Sequence, residues 1–456
     1  MGTAVPACFK AYDIRGKVPD QLDPPLARKI GIAYVTLFQP RCVAVGLDIR
    51  LSSPEISEAL IEGLLESGTD VLELGLCGTE EVYHASFAGA ETGIDGGIMV
   101  TASHNPADYN GMKLVTREAR PVTAETGLRK IAEMVSGDDL PVKTEGLTGK
   151  RVQGDWRERY IDHLMSYIDP DLLSPLCIVA NGGNGCAGPV IDLLEKRLPV
   201  KIIRLNHQPD GTFPNGVPNP LLPENRVATA DLVRSNKADL GLAWDGDFDR
   251  CFFWDEKARF IDGYYLVGLL AREMLVQEPG GKILHDPRLI WNTREIVSSS
   301  GGIPIATRTG HALIKERMRQ EDSIYGGEMS AHHYFRDFGY CDSGMIPWLL
   351  VCSMISRRGV PLSQMVDEMM QAYPISGEIN TTVDDPAEVL RRVEEHYVGG
   401  EIDRIDGLSI AFDSFRFNIR ESNTEPLLRL NVESRGDAAL MQSVTEQLLT
   451  LINTTD

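Results

Sequence analysis

One pattern constrains this chain more than any other: strand-like and helix-like stretches alternate in the same order three times. In the first copy Val43–Leu47 reads as a strand and Pro54–Glu66 as an amphipathic helix opened by Ser52-Ser53. Val71–Leu74 is a second strand, Val82–Gly89 a short helix and Gly97–Thr101 a third strand. The second copy runs Leu176–Ala180, Pro189–Arg197, Val200–Leu205, Arg226–Asn236 and Leu240–Trp244. The third runs Lys282–His285, Thr293–Ser300, Ile303–Thr307, His311–Met318 and Ser323–Tyr325. Such alternation predicts α/β domains with largely parallel sheets. Each third strand leads into the least ordinary loop of its copy: TASHNP (101–106), DGDFDR (245–250) and GGEMSAHH (326–333). Open α/β sheets bind ligands at the carboxyl ends of their strands, so the three loops are expected to serve one site.

The pattern changes at about residue 368. Glu378–Val383, Gly407–Phe412, Arg416–Ile419 and Leu427–Glu433 read as strands, and Ala438–Asn453 as a helix. The expected architecture is α/β: three similar domains with mixed, largely parallel sheets, plus a C-terminal α+β domain. The divisions fall at 1–150, 151–253, 254–367 and 368–456. A chain of 456 residues has length enough for this. Lysine and arginine number 45 against 66 acidic residues, a formal charge of −21. That argues against nucleic acid and anionic membranes as partners. A small anionic substrate would need a local cationic site. The eight cysteines form no C-x-x-C or other metal spacing and read as reduced thiols. No basic-then-apolar leader opens the chain, and the apolar run near 345–355 contains Pro347 and is too short to span a bilayer. A cytoplasmic location is therefore expected.

Four stretches carry chemistry. In DGDFDR, Asp245, Asp247 and Asp249 follow a strand at alternate positions, which on an extended backbone places three carboxylates on one side. Converging carboxylates call for a cation, and hard oxygen ligands favour Mg²⁺ or Ca²⁺. An EF-hand does not fit, because Arg250 stands where that loop requires glycine. GEMSAHHYF gathers Glu328, Ser330, His332 and His333, groups suited to sugar hydroxyls and phosphate. RESNTEP gathers Arg420, Ser422, Asn423 and Thr424, donors suited to phosphate oxygens. Ser103 alone reads most simply as a cap, and no G-x-S-x-G elbow activates it. NGGNGCAG (181–188) contains G-x-G-x-x-G, but Leu205-Asn206-His207 stands where a ribose-binding acid is needed, so a tight strand–helix turn is the better reading.

Taken together and in order, TASHNP, DGDFDR, GEMSAH and RESNTEP resemble the phosphoserine, metal, sugar-binding and phosphate-binding loops of the α-D-phosphohexomutase superfamily. The run GEMSAHHYFRDFGYCDSGMIPWL is most similar to its bacterial phosphomannomutase members. The resemblance implies four domains around a central cleft and interconversion of hexose 6-phosphate and hexose 1-phosphate, through a phosphoserine and a hexose 1,6-bisphosphate. It implies Mg²⁺ on Asp245, Asp247, Asp249 and a phosphoryl oxygen on Ser103. His104, Lys113, Arg250 and His332 would work beside the transferring group, with Lys113 a candidate proton carrier. Tyr12, Arg15, Arg288, His311, Glu328 and Ser330 would contact substrate. Arg420, Ser422, Asn423 and Thr424 would hold the phosphate that is not reacting. Arg288 departs from the pattern, since many relatives carry lysine there. Small hexose phosphates are the implied partners of a monomer or homodimer. Mannose or glucose preference is open, and a Mg²⁺-dependent sugar phosphatase is the alternative of another class.

Overall fold

The computed structural model describes residues 5–137, 140, 148–154, 156–421 and 427–454. The chain divides into two compact units, one of residues 1–260 with 332–359 and one of residues 261–331 with 360–456.

The first unit holds two copies of the repeated pattern. In one, the strand Cys42–Leu47 lies between Asp70–Leu76 and Ile94–Val100, parallel to both. In the other, Leu176–Asn181 lies between Val200–Leu205 and Leu240–Trp244, again parallel to both. The spatial order is thus third strand, first strand, second strand in each. An antiparallel strand is added beside each third strand: Tyr109–Thr116 pairs with Ile94–Val100, and Cys251–Trp254 with Leu240–Trp244. The sheets are therefore mixed. Val43, Val45, Val71, Ile98 and Val100 join Ile56, Leu60, Ile61 and Leu64 of the helix Ser53–Glu66 in one apolar core. Pro54 lies in the first turn of that helix, where a missing N–H costs nothing.

The segment 332–359 is tied to this unit by polar contacts. Glu80, buried in the helix Thr79–Ala88, accepts from Ser343 Oγ and from the amides of Gly344 (3.1 Å) and Met345 (3.2 Å). Those amides stand at the start of the helix Met345–Arg358, so Glu80 satisfies donors that the first turn leaves without a partner within the helix. Trp244 Nε1 donates to the Gly344 carbonyl at 3.0 Å.

In the second unit Lys282–His285 lies between Ile303–Ala306 and Tyr325–Gly327, parallel to both, so the third–first–second order recurs. The C-terminal sheet is antiparallel throughout, in the order Ile379–Thr382, Leu427–Ser434, Phe415–Glu421, Leu408–Ala411, Glu401–Asp403. The helices Pro386–His396 and Ala438–Asn453 supply Val389, Val393, Val444, Leu448 and Ile452 to its core. The eight cysteines form no disulfide. Among the described residues no helix is long and apolar enough to cross a membrane.

Candidate active site

The strand Ile94–Val100 ends one residue before Thr101, and the chain returns through Tyr109–Thr116. The loop between them is held from inside. Thr101 Oγ1 donates to Asp48 Oδ2 (2.7 Å) and accepts from the Ser103 amide (2.9 Å). Ser103 adopts a φ of +48°, a left-handed conformation unfavourable to a residue with a Cβ. Arg50 over-determines that conformation. Its guanidinium donates to the carbonyls of Ser103 (3.0 Å), Asn105 (2.7 Å), Pro106 (2.6 Å) and Tyr109 (3.0 Å). Its Nε lies 3.2 Å from Asp48 Oδ2, and the residue is 1% exposed. A buried charge is tolerable beside a carboxylate and four accepting carbonyls. Arg15 binds the same loop, at the Ala102 carbonyl (2.8 Å) and Asn105 Oδ1 (2.6 Å). Asn110 donates to Ser52 and Ser53 at 2.9 and 3.0 Å, anchoring the far end of the loop.

The loop 245–250 is a turn rather than the extended segment expected. The Phe248 amide donates to the Asp245 carbonyl at 3.2 Å, and Phe248 has a φ of +47°. The turn still gathers the carboxylates: one oxygen from each of Asp245, Asp247 and Asp249 lies within 4.8 Å of the others, all buried. Gly246 lets this loop reach the serine, since a Cβ there would meet the Ser103 carbonyl oxygen at 2.6 Å. Ser103 Oγ then donates to Asp245 Oδ2 at 2.8 Å.

Each aspartate has protein partners on one side. Asp245 Oδ2 accepts from Arg250 Nε (3.0 Å) and Nη2 (2.8 Å). Asp247 Oδ2 accepts from Thr79 Oγ1 (2.5 Å) and Lys113 Nζ (2.7 Å), and Lys113 also contacts Asp249 Oδ2. Asp247 Oδ1 and Asp249 Oδ1 are buried and accept no hydrogen bond from the described residues. Two such oxygens beside a third carboxylate and a serine hydroxyl form a hard, oxygen-only donor set, which fits Mg²⁺.

Electrostatics follow from this crowding. Burial opposes the charge on Lys113, but Asp247 and Asp249 outweigh it and raise its pKa. Burial and the Asp247 carboxylate raise the Asp249 carboxyl to about 7, whereas Lys113 overcomes burial at Asp247 and holds it below the ordinary range. His104 Nδ1 lies 3.2 Å from Ser103 Oγ and 2.5 Å from Arg250 Nη2. Burial, then Arg250 and Arg15, push its pKa well below 6.5, so the ring is neutral and Nδ1 is an acceptor. His332 Nε2 lies 3.9 Å from both Asp249 and Asp342.

The second unit carries the other expected residues. Glu328 Oε1 accepts from the Gly310 amide at 3.2 Å, one residue before His311 opens the helix His311–Glu321. Ser330 follows in the same loop as Glu328. Arg288 is buried and paired to Asp286 at 2.7 Å. Arg420 Nη1 donates to Thr309 Oγ1 at 3.4 Å. Ser422, Asn423 and Thr424 lie outside the described residues. In the first unit, Tyr12 is half-buried two residues before Ile14, where the strand Ile14–Lys17 begins.

Sequence reasoning passed over several residues that hold the serine and aspartate loops of the first unit: Asp48, Arg50, Thr79 and Asp342. Asp48 and Arg50 follow directly on the strand Cys42–Leu47, so the strand-end rule that singled out Ser103 and Asp245 points to them as well. Nothing local marks Thr79, whose partner is 168 residues away.

The chain matches the phosphoglucomutase/phosphomannomutase alpha/beta/alpha domain I over residues 6–140, domain II over 158–258, domain III over 262–373 and the C-terminal domain over 378–451. It is 54% identical over 453 residues to a phosphomannomutase of Salmonella montevideo, covering 98% of this chain and 99% of the relative. It is 54% identical over 446 residues to a protein of Xanthomonas campestris named for phosphohexose mutases, covering 97% and 98%. A solved phosphoglucomutase/phosphomannomutase family protein of Burkholderia thailandensis superposes with a TM-score of 0.87 at 30% identity, covering 98% of both chains. With four domain matches in order and full-length relatives at this identity, the chain belongs to the phosphoglucomutase/phosphomannomutase family of the α-D-phosphohexomutase superfamily.

Proposed function

We propose that the protein is a phosphomannomutase. It would interconvert mannose 6-phosphate and mannose 1-phosphate through phospho-Ser103 and a hexose 1,6-bisphosphate, and so supply GDP-mannose synthesis. The observation that carries this reading is the Ser103 hydroxyl, 2.8 Å from a carboxylate of a buried three-aspartate cluster. The names of full-length relatives at 54% identity support the mannose substrate. Equal identity to the phosphohexose mutase supports a second reading, in which glucose phosphates are also turned over.

In the first transfer the bond between phosphorus and Ser103 Oγ would break as a sugar oxygen bonds to phosphorus, the sugar hydroxyl losing its proton and the serine oxygen gaining one. In the second the phosphorus–oxygen bond at the other end of the bisphosphate would break as Ser103 Oγ, losing its proton, bonds to phosphorus and the leaving sugar oxygen is protonated. Mg²⁺ on Asp245, Asp247, Asp249 and a phosphoryl oxygen would offset charge on the transferring group. Lys113, paired to Asp247 and Asp249, would stand beside the transferring group as the candidate proton carrier. Arg250 and the neutral His104 would orient the phosphoryl group. His332 would stand by the same group, and Tyr12 and Arg15 would position the sugar phosphate. Glu328 and Ser330 would hold sugar hydroxyls, with His311 nearby. Arg288, Arg420, Ser422, Asn423 and Thr424 would anchor the phosphate that is not reacting. A hexose 1,6-bisphosphate would serve as intermediate and activator. The reading carries with it the domain divisions 1–150, 151–253, 254–367 and 368–456, a cytoplasmic location, and a monomer or homodimer.

Turnover on mannose 1-phosphate, glucose 1-phosphate and glucosamine 1-phosphate separates the substrates, and free-phosphate release separates a mutase from a phosphatase. Mannose 6-phosphate formation without phosphate release is expected. Ser103→Ala should lose both turnover and phosphate labelling of that peptide; a variant that keeps full activity would sink the assignment.

A further inference from the structure

Glu378 stands directly before the edge strand Ile379–Thr382, and three guanidinium groups share its carboxylate. Oε2 lies 3.1 Å from Arg288 Nη1 and 3.5 Å from Arg420 Nη2, and Oε1 lies 3.3 Å from Arg429 Nη1. Strand register explains the crowding. Arg420 and Arg429 face each other directly across the antiparallel pair Phe415–Glu421 and Leu427–Ser434. Like charges in that position repel, and only a nearby anion makes the pairing tolerable. Burial alone would raise the Glu378 pKa, but Arg288, Arg420 and Arg429 outweigh it and hold the carboxyl below its ordinary value.

One carboxylate does not exhaust these donors. The Nε atoms of Arg288, Arg420 and Arg429 are all buried and donate to none of the described residues. Arg288 has a second anchor in Asp286 at 2.7 Å, and Arg420 has Thr309 at 3.4 Å. Guanidinium groups with donors to spare around a shared carboxylate suit a second, tetrahedral anion.

We propose that Glu378 is a built-in counter-anion of the phosphate-holding site and that Arg429 is a third guanidinium of that site. The inference rests on the mutase reading above. Glu378 keeps the arginines gathered between turnovers, and its charge weakens the hold on a ligand phosphate. A bisphosphate that must let go of either end needs an anchor of this kind, because equally tight binding of every species adds nothing to turnover.

Binding is best read in a Ser103→Ala background, by calorimetric titration with mannose 1-phosphate and with inorganic phosphate. Glu378→Gln keeps an acceptor oxygen and removes the charge, while Asp286 still ties Arg288. Kd for both probes should fall by about three- to tenfold, as for loss of one like charge near the ligand. An unchanged or higher Kd overturns the counter-anion role. Arg429→Gln reads the same site independently, should Glu378→Gln fail to fold. It should raise Kd about tenfold, and an unchanged Kd removes Arg429 from the site. A parent that binds no mannose 1-phosphate overturns the mutase reading, and this inference with it. A parent that binds it while the Gln variant does not tighten overturns the inference alone.

Discussion

Arg50 donates to four carbonyl oxygens of the Ser103 loop, and a lysine in its place could reach one or two of them. The loop also keeps Ser103 at a φ of +48°, which relaxes once its carbonyls are released. Arg50→Lys should therefore lower kcat by roughly ten- to a hundredfold while KM changes little, because a misplaced nucleophile costs rate before it costs affinity. Steady-state kinetics beside a thermal melt checks this, and an unchanged kcat in a folded variant refutes it. Ser103 and the aspartates were singled out in the sequence by their place after the third strand of a repeated unit, since Ser103 alone reads as a cap. Arg50 was not, since an arginine near a turn reads as surface until its partners are seen. The structure leaves it 1% exposed.

At the scale of elements, two loops have to come close enough for a serine to touch an aspartate 142 residues away. Gly246 is the point of closest approach. A methyl group there would sit 2.6 Å from the Ser103 carbonyl oxygen, so one loop must move. Gly246→Ala should lower kcat about a hundredfold and cost roughly 1–3 kcal/mol of stability by overpacking. Kinetics and the urea midpoint give both numbers, and wild-type values for both would disprove the contact's importance. Elements bounded by strong signals lie where expected: Val200–Leu205, Leu240–Trp244, Lys282–His285 and Ala438–Asn453. The strand Tyr109–Thr116 was hidden, because Asn110-Gly111 reads as turn punctuation. In the fold Asn110 caps inward, and a Cβ on Gly111 would strike the Ile14 carbonyl at 2.0 Å. The glycine is there for a neighbouring strand. Similarly, the aspartates converge through a turn, where the sequence suggested alternation along a strand.

At the scale of the molecule, buried titratable groups set the response to acid. His84 sits 3% exposed among Phe87, Trp156, Tyr160 and His163, with His163 at 5.3 Å between ring centroids. Burial, then His163 and Arg159, lower its pKa from 6.5 to about 3, and burial lowers that of His163. The unfolded chain therefore binds protons that the fold cannot, and stability falls as pH drops from about 6.5 towards 3. His84→Leu keeps the bulk and loses the titration, so its Tm should fall less than wild type between those limits. Melts at stepped pH test this, and parallel curves would falsify it.

The sequence by itself determined the threefold order of strands and helices and singled out four loops. These depend on hydrophobic period and on residues within a few positions of one another. Only the tertiary structure decided what holds the loops: Arg50 under Ser103, Thr79 and Lys113 on Asp247, and Glu378 among three arginines. Those contacts join residues tens to hundreds of positions apart. Hydrogen bonds and ion pairs of that kind leave no period in a sequence, because each partner answers to a distance in space.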